Sequence, residues 1–148
     1  MPEKKLCCYG IDKGEIHFFN KLKSSNSINC GSINVLGDEF INEIIYNHNI
    51  CVFPSCSEGM STAVATCMAH GIIPIITRET GFNKMPFIIE LESFTVEQVK
   101  KSIEQIQSLS VEELLQMRYD CYVYARTEFS LNTFNRQFSS IMGRILSQ

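Results

Sequence analysis

No apolar run in the 148-residue sequence reaches the roughly 18–20 residues that a helix needs to span a bilayer. The lysines near the start, in Met1-Pro-Glu-Lys-Lys5, are not followed by an apolar segment with a small-residue cleavage site, so no secretory signal is read. Positive charge is not in excess. Thirteen Lys and Arg against sixteen Asp and Glu leave a net charge of −3, which gives no electrostatic footprint for a nucleic-acid partner. No Gly-x-Gly-x-x-Gly follows the first strand pattern and no Walker lysine pattern occurs, which argues against dinucleotide and P-loop chemistry. No two cysteines have the two-residue spacing of a zinc knuckle or a thioredoxin motif, and His17, His48 and His70 have no metal-ligand spacing among them, so no metal site is expected. Internal repeats, low-complexity tracts and linkers are also lacking, and residues 1–148 read as a single domain.

What is present fits an ordinary α/β protein. Apolar residues make up 45% of the chain and charged residues 20%, enough for a sizeable core. The seven cysteines lie mostly in or beside apolar segments and read as reduced core thiols of a cytosolic protein. Short apolar runs at Leu6–Tyr9, Ile28–Cys30, Ile50–Phe53, Ile72–Ile76 and Phe87–Ile89 read as strands. The continuous apolar character of 72–76 is that of a parallel strand covered on both faces. Between the strands, 15–22 carries helical spacing, and a helix from an Asp38 cap to about Asn47 would place Phe40, Ile41, Ile44 and Ile45 on one face. Another helix, capped by Ser61 or Ser57, stops at Gly71.

After residue 94 the pattern turns helical. One helix starts at Thr95, and Ser110-Val-Glu-Glu113 forms a capping box for the next. That second helix presents Val111, Leu114, Leu115, Tyr122, Ala125 and Phe129 as an apolar stripe, and a last helix presents Phe134, Phe138, Ile141 and Ile145. Alternating strands and helices predict a mostly parallel sheet with helices on both sides and extra C-terminal helices.

The chemistry concentrates in Ser55-Cys-Ser-Glu-Gly-Met-Ser-Thr62, between a strand end and a helix start. Open α/β sheets bind ligands at that end, and helix N-termini carry unpaired N–H groups. Gly59 permits close backbone approach, and Ser61 and Thr62 can cap the helix or bond a ligand. On spacing alone Glu58 reads first as a carboxylate favoured by the helix dipole, and only second as a ligand contact. Arg78 follows the fourth strand at the same sheet end and is read either as a diphosphate contact or as a solvated loop arginine. His70 precedes the Gly71 stop, where a cation suits the helix C-terminus. Phe129, Phe134 and Phe138 read as core rather than a base-stacking platform.

Pro54-Ser55, Ser57-Glu58-Gly59, Met68-Ala69-His70-Gly71 and Pro74-Ile75-Ile76, in that order, resemble the C-terminal domain of the group-one retaining GT-B glycosyltransferases. Gly10, Gly31 and the Glu128-Phe129-Ser130 junction extend the resemblance more weakly. It implies a Rossmann-like three-layer domain, one half of a GT-B fold, that binds a nucleotide-sugar and transfers the sugar with retention to a glycan or lipid-linked acceptor, without metal or cofactor. It implies Glu58 as the catalytic-site carboxylate on the donor-sugar hydroxyls. Ser57, Gly59, Met60, Ser61 and Thr62 would line the donor, and Arg78 would meet its diphosphate. Thr66 stands where the family has a second acid on the ribose. A hydroxyl there lacks the charge-assisted strength of a carboxylate. The arginine and lysine that the family brings to the diphosphate are not found, and Lys13 reads as a solvated lysine. The chain is therefore expected to be a fragment lacking its N-terminal acceptor domain, cytoplasmic, with peripheral membrane association open to the whole protein. The alternative is a glycosyltransferase-like module that binds without turnover.

Overall fold

The computed structural model describes residues 6–9, 13–22, 27–31, 38 and 40–147. They fall into two compact units, residues 1–47 and 48–148. In the first unit, β1 (Leu6–Tyr9) and β2 (Ser27–Gly31) pair in parallel, with an irregularity in register between Cys8 and Tyr9. Parallel neighbours need a crossover, and α1 (Ile16–Leu22) lies within that connection. Lys13 is exposed in the turn before α1, as its solvated reading requires. Gly10 lies outside the described residues.

The helix expected over 38–47 takes a wider form. Phe40–Ile45 is a π-helical segment with Ile44 buried. The Asn47 side-chain amide donates to the carbonyls of Asn42 at 2.9 Å and Glu43 at 3.1 Å, taking acceptors that a continuing helix would have used. Apolar periodicity alone does not separate a π turn from an α turn.

In the second unit β3 (Ile50–Phe53), β4 (Ile73–Thr77) and β5 (Ile89–Leu91) form a parallel sheet in the order β3-β4-β5. All five residues of β4 are buried, as its unbroken apolar run predicts. Successive side chains leave opposite faces of the sheet. Ile76 packs with Val64 and Met68 of α2 (Thr62–Met68) and with Cys121 and Ala125 of α4 (Val111–Glu128). Ile73 and Ile75 pack with Leu91 and with Ile106 of α3 (Val96–Gln107). Helices therefore cover both faces of this sheet. The fifth strand lies two residues later than 87–89, because Phe87 and Ile88 are spent on a buried turn closed by the Ile88 amide on the Met85 carbonyl.

The α2 helix ends in a Schellman motif. Gly71 has φ +72°, and the amides of Ile72 and Gly71 reach back to the carbonyls of Cys67 and Met68. Two arginines of α4 finish that end. Arg118 Nε donates to the Gly71 carbonyl at 2.9 Å and its Nη1 to Asn49 Oδ1 at 2.7 Å, while Arg126 Nε donates to the Ala69 carbonyl at 3.2 Å. Ser110 and Glu113 form the expected capping box at the start of α4.

The apolar stripes of the last two helices come out differently from expectation. On α4 the covered residues are Leu114, Met117, Cys121, Tyr124 and Ala125, whereas Val111, Leu115 and Tyr122 are exposed. On α5 (Leu131–Leu146) Phe134, Phe138, Ile141 and Ile145 are all exposed, and Thr133 is the buried residue. Phe129 joins an edge-to-face cluster with Phe82 and Tyr124, both with ring centroids at 5.9 Å, and is a packing residue.

Three thiols lie close to the first face. Cys121 is buried, donates to the Ile72 carbonyl at 3.4 Å, and has its pKa pushed up to about 12 by burial and then by Cys67. Cys51, half-buried and hydrogen-bonded to the Cys67 side chain, is held well above the ordinary thiol range by that bond and then by burial. The same hydrogen bond lowers the pKa of the accepting Cys67, whereas Cys51 and Cys121 stay neutral near pH 7 and serve packing.

Candidate functional site

The carboxyl ends of β3 and β4 carry two loops that are sewn together. The first runs from Pro54 to Ser61. The second is the 3₁₀ turn Arg78–Thr80 followed by Gly81. The Glu58 amide donates to the Glu79 carbonyl at 3.0 Å and the Ser61 amide to the Thr80 carbonyl at 3.2 Å. Thr77 Oγ1 donates to the Ser55 carbonyl, and Thr80 Oγ1 returns to the Thr77 carbonyl at 2.7 Å. Thr77 and Thr80 are fully buried, so each hydroxyl finds its hydrogen-bond partner in a backbone carbonyl rather than in water.

Gly81 closes the contact. Its φ is +83°, and a Cβ placed there would lie 2.2 Å from the Gly59 carbonyl oxygen. Both facts require glycine. Gly59 itself faces open space, with nothing within 4 Å of a Cβ built on it. The result is a shelf whose base is buried and whose crest, Ser57 to Met60, is exposed.

The predicted residues divide according to this geometry. Ser57, Glu58, Gly59 and Met60 lie together on the crest, and Arg78 is exposed on the adjoining turn. Ser61 has left the exposed set. It is buried, and its side chain caps α2 by accepting from the Val64 amide at 3.5 Å. Thr62 is exposed at the first helical position. Thr66, one turn further along, gives its hydroxyl proton to the Thr62 carbonyl at 2.8 Å and is half-buried. The supporting residues Thr77, Thr80 and Gly81 went unrecognised as parts of the site. The signal available was the polar run Thr-Arg-Glu-Thr-Gly directly after an apolar strand.

His70 departs from the reading that placed a favoured cation there. Burial, and then the charge of Arg126, lower its pKa from the ordinary 6.5. Arg118 and Arg126 already supply positive charge to that helix end. Among the described residues no cluster of three or more His, Cys, Asp or Glu could hold a metal ion. Among them, too, no helix is long and apolar enough to cross a membrane.

No known family model and no curated protein matches this chain. The observations define an α/β domain with a three-stranded parallel sheet and a two-loop shelf at its carboxyl edge.

Proposed function

We propose that residues 48–148 form the donor-binding region of a Rossmann-like three-layer domain, one half of a GT-B glycosyltransferase, and that its ligand is a nucleotide-sugar. The single observation that carries this reading is the sewn loop pair at the carboxyl edge of β3 and β4, which leaves Glu58, Gly59 and Met60 exposed on a fixed base. Ligands of open α/β sheets bind at that edge. In this proposal Glu58 accepts hydroxyl protons of the donor sugar. The Gly59 and Met60 amides, which lie between the bonded amides of Glu58 and Ser61, turn to the sugar and diphosphate. Gly59 lets the ligand approach the backbone, and Arg78 offsets charge on the leaving diphosphate. Ser61 acts through the cap that fixes the start of α2 rather than by touching the donor.

A second reading, binding without turnover, draws on Thr66. Its hydroxyl is engaged within α2, and no carboxylate stands there for the ribose. Ligand-observed saturation-transfer NMR with UDP, GDP, ADP and their sugar conjugates tests both. Base-selective binding with sugar signals lost in Glu58→Ala supports the donor site. Failure of every nucleotide to bind at millimolar concentration rejects it. Binding with no sugar transfer or donor hydrolysis by the full-length protein selects the second reading.

A further inference from the structure

We infer that Cys51 and Cys67 form an oxidation site, a pair of thiols that hydrogen peroxide converts to a disulfide. The inference does not rest on the donor-site reading. The β3 strand climbs to the shelf and α2 returns from it to start the parallel strand β4, so the end of α2 stands level with the start of β3. Cys51 lies two residues before Phe53, about 7 Å down the strand, and Cys67 lies five residues after Thr62, about 7.5 Å down the helix. Both belong to the same face of the sheet. Phe53 packs on the cluster of Val64 and Met68, and Cys51 leaves the strand on the side of Phe53, whereas Ile50 and Val52 pack on the opposite side. Cys67 sits one helical turn after Val64. There the Cys51 thiol donates its proton to the Cys67 sulfur.

The two thiols divide the chemistry. Accepting that bond holds Cys67 below the ordinary thiol range, although burial acts the other way, and the thiolate is the nucleophile. Cys67 and Cys51 are both half-buried, which leaves a small oxidant a way in. Cys121, the third thiol of this face, is fully buried and gives its proton to the Ile72 carbonyl, so Cys51 is the partner in position. The Cys67 sulfur attacks one oxygen of hydrogen peroxide. An S–O bond forms, the O–O bond breaks, and the departing hydroxide is protonated to water. The Cys51 sulfur then gives up its proton and attacks the Cys67 sulfur. The S–S bond forms as the S–O bond breaks, and the hydroxide leaves with that proton as a second water. Two thiols lose two electrons and one peroxide gains them. The new bond closes a loop over residues 52–66, which contains the whole crest of the shelf, Ser57 to Met60.

The test treats the full natural chain with hydrogen peroxide near neutral pH, alkylates the remaining thiols and cleaves after glutamate. Cleavage separates residues 44–58, which hold Cys51 and Cys56, from residues 59–79, which hold Cys67. The two fragments should be recovered joined, lacking two hydrogens, and should part on reduction with dithiothreitol. They should still be joined in Cys56→Ser, where Cys51 is the one thiol of the first fragment. In Cys51→Ala, dimedone should trap the sulfenic acid on Cys67. Iodoacetamide should modify Cys67 of the untreated folded chain at least about tenfold faster than Cys121. The joined fragments and the alkylation rates are read on the natural chain and do not depend on how a variant folds. Failure to recover joined fragments once the exposed Cys56 is oxidised overturns the inference, as does Cys56 replacing Cys51 in the bond. So does equal joining in the urea-unfolded chain, because the fold would then contribute nothing, and so does a Cys67 no faster than Cys121.

Discussion

The α4 and α5 helices follow one another in the chain, and both display apolar stripes in the sequence, yet their environments are opposite. The α4 helix sets Cys121 and Ala125 against Met68, Val64 and Ile76, with Cys121 and Met68 having no solvent exposure. The α5 helix leaves Phe134 at 60% and Phe138 at 53% exposure. An apolar stripe therefore states that a face favours cover, and does not state that the cover lies in the same unit. Nor does the more regular stripe mark the better-buried helix. The regular series is on α5, while the covered face of α4 includes a cysteine, an alanine and a tyrosine that a search for large aliphatic residues passes over.

The sharpest way to break that contrast is to truncate one residue on each side of it. Met68→Ala removes a fully buried side chain wedged between β4 and α4, and should cost about 2–5 kcal/mol as lost transfer energy plus a cavity. Phe138→Ala removes a larger side chain from an exposed face and should cost less than about 0.5 kcal/mol. Urea unfolding of both variants measures the difference. A Phe138→Ala cost approaching that of Met68→Ala would mean that the α5 face is covered in solution.

The same logic applies to the two glycines of the shelf, Gly81 turned against the Gly59 carbonyl and Gly59 turned to open space. Gly81→Ala forces a side chain into a left-handed backbone and against the Gly59 carbonyl, and should cost about 1–3 kcal/mol while separating the loops. Gly59→Ala meets nothing within 4 Å and should leave stability within about 0.5 kcal/mol of the natural protein. If the proposed donor site is right, Gly59→Ala nevertheless weakens nucleotide-sugar binding, because the new methyl group stands where the ligand approaches. A variant of normal stability and lowered affinity, read by thermal denaturation and NMR titration, is the expected signature.

These glycines also mark what the sequence makes legible. The strand, turn, helix and glycine stop across 50–77 follow from local signals. Pro54 ends an apolar run, Ser61 caps, and Gly71 supplies the positive φ that ends α2. The crest of the candidate site, Ser57 to Met60, is contiguous and so is visible in one dimension. Its base is not. The bonds from Glu58 and Ser61 to Glu79 and Thr80 span about twenty residues, and nothing in either segment alone announces the other. Arg118 and Arg126 reach the end of α2 across separations of 47 and 57 residues and were equally hidden. The π-helical turn at Phe40–Ile45 shares its apolar pattern with an α-helix, and the side chain of Asn47 beyond it takes up two of its carbonyls.

Caps provide a smaller test of the two helices. Ser110 closes a reciprocal box with Glu113, accepting the Glu113 amide at 3.2 Å while its own amide donates to Glu113 Oε2 at 2.8 Å. Ser130 accepts from the Thr133 amide at 3.1 Å and returns its proton to the Thr127 carbonyl at 2.9 Å. Ser110→Ala and Ser130→Ala should each cost about 1 kcal/mol. The two should differ in where the loss appears. Hydrogen exchange should rise through the buried face of α4 in the first variant, and be confined to the first turns of α5 in the second, because α5 has few contacts to transmit it.

The smallest effect expected is a pH dependence at the junction of α2 with α4. Burial and then Arg126 depress the His70 pKa below 6.5, so the folded protein resists a proton that the unfolded chain accepts readily. As pH falls through about 6.5 the unfolded state gains protons first, and stability declines until the depressed folded value is passed. Above that window His70 is neutral in both states and contributes no slope. Thermal midpoints of the natural protein between about pH 7.5 and 5.5 should therefore fall more steeply than those of His70→Gln, which carries no titrating group. Arg126→Gln should reduce the slope by removing the second cause while leaving burial, the larger one, in place. Should the natural protein instead gain stability relative to His70→Gln on acidification, the carbonyls at the end of α2 would dominate over burial and Arg126, and the two arginines would not be satisfying that helix end in solution.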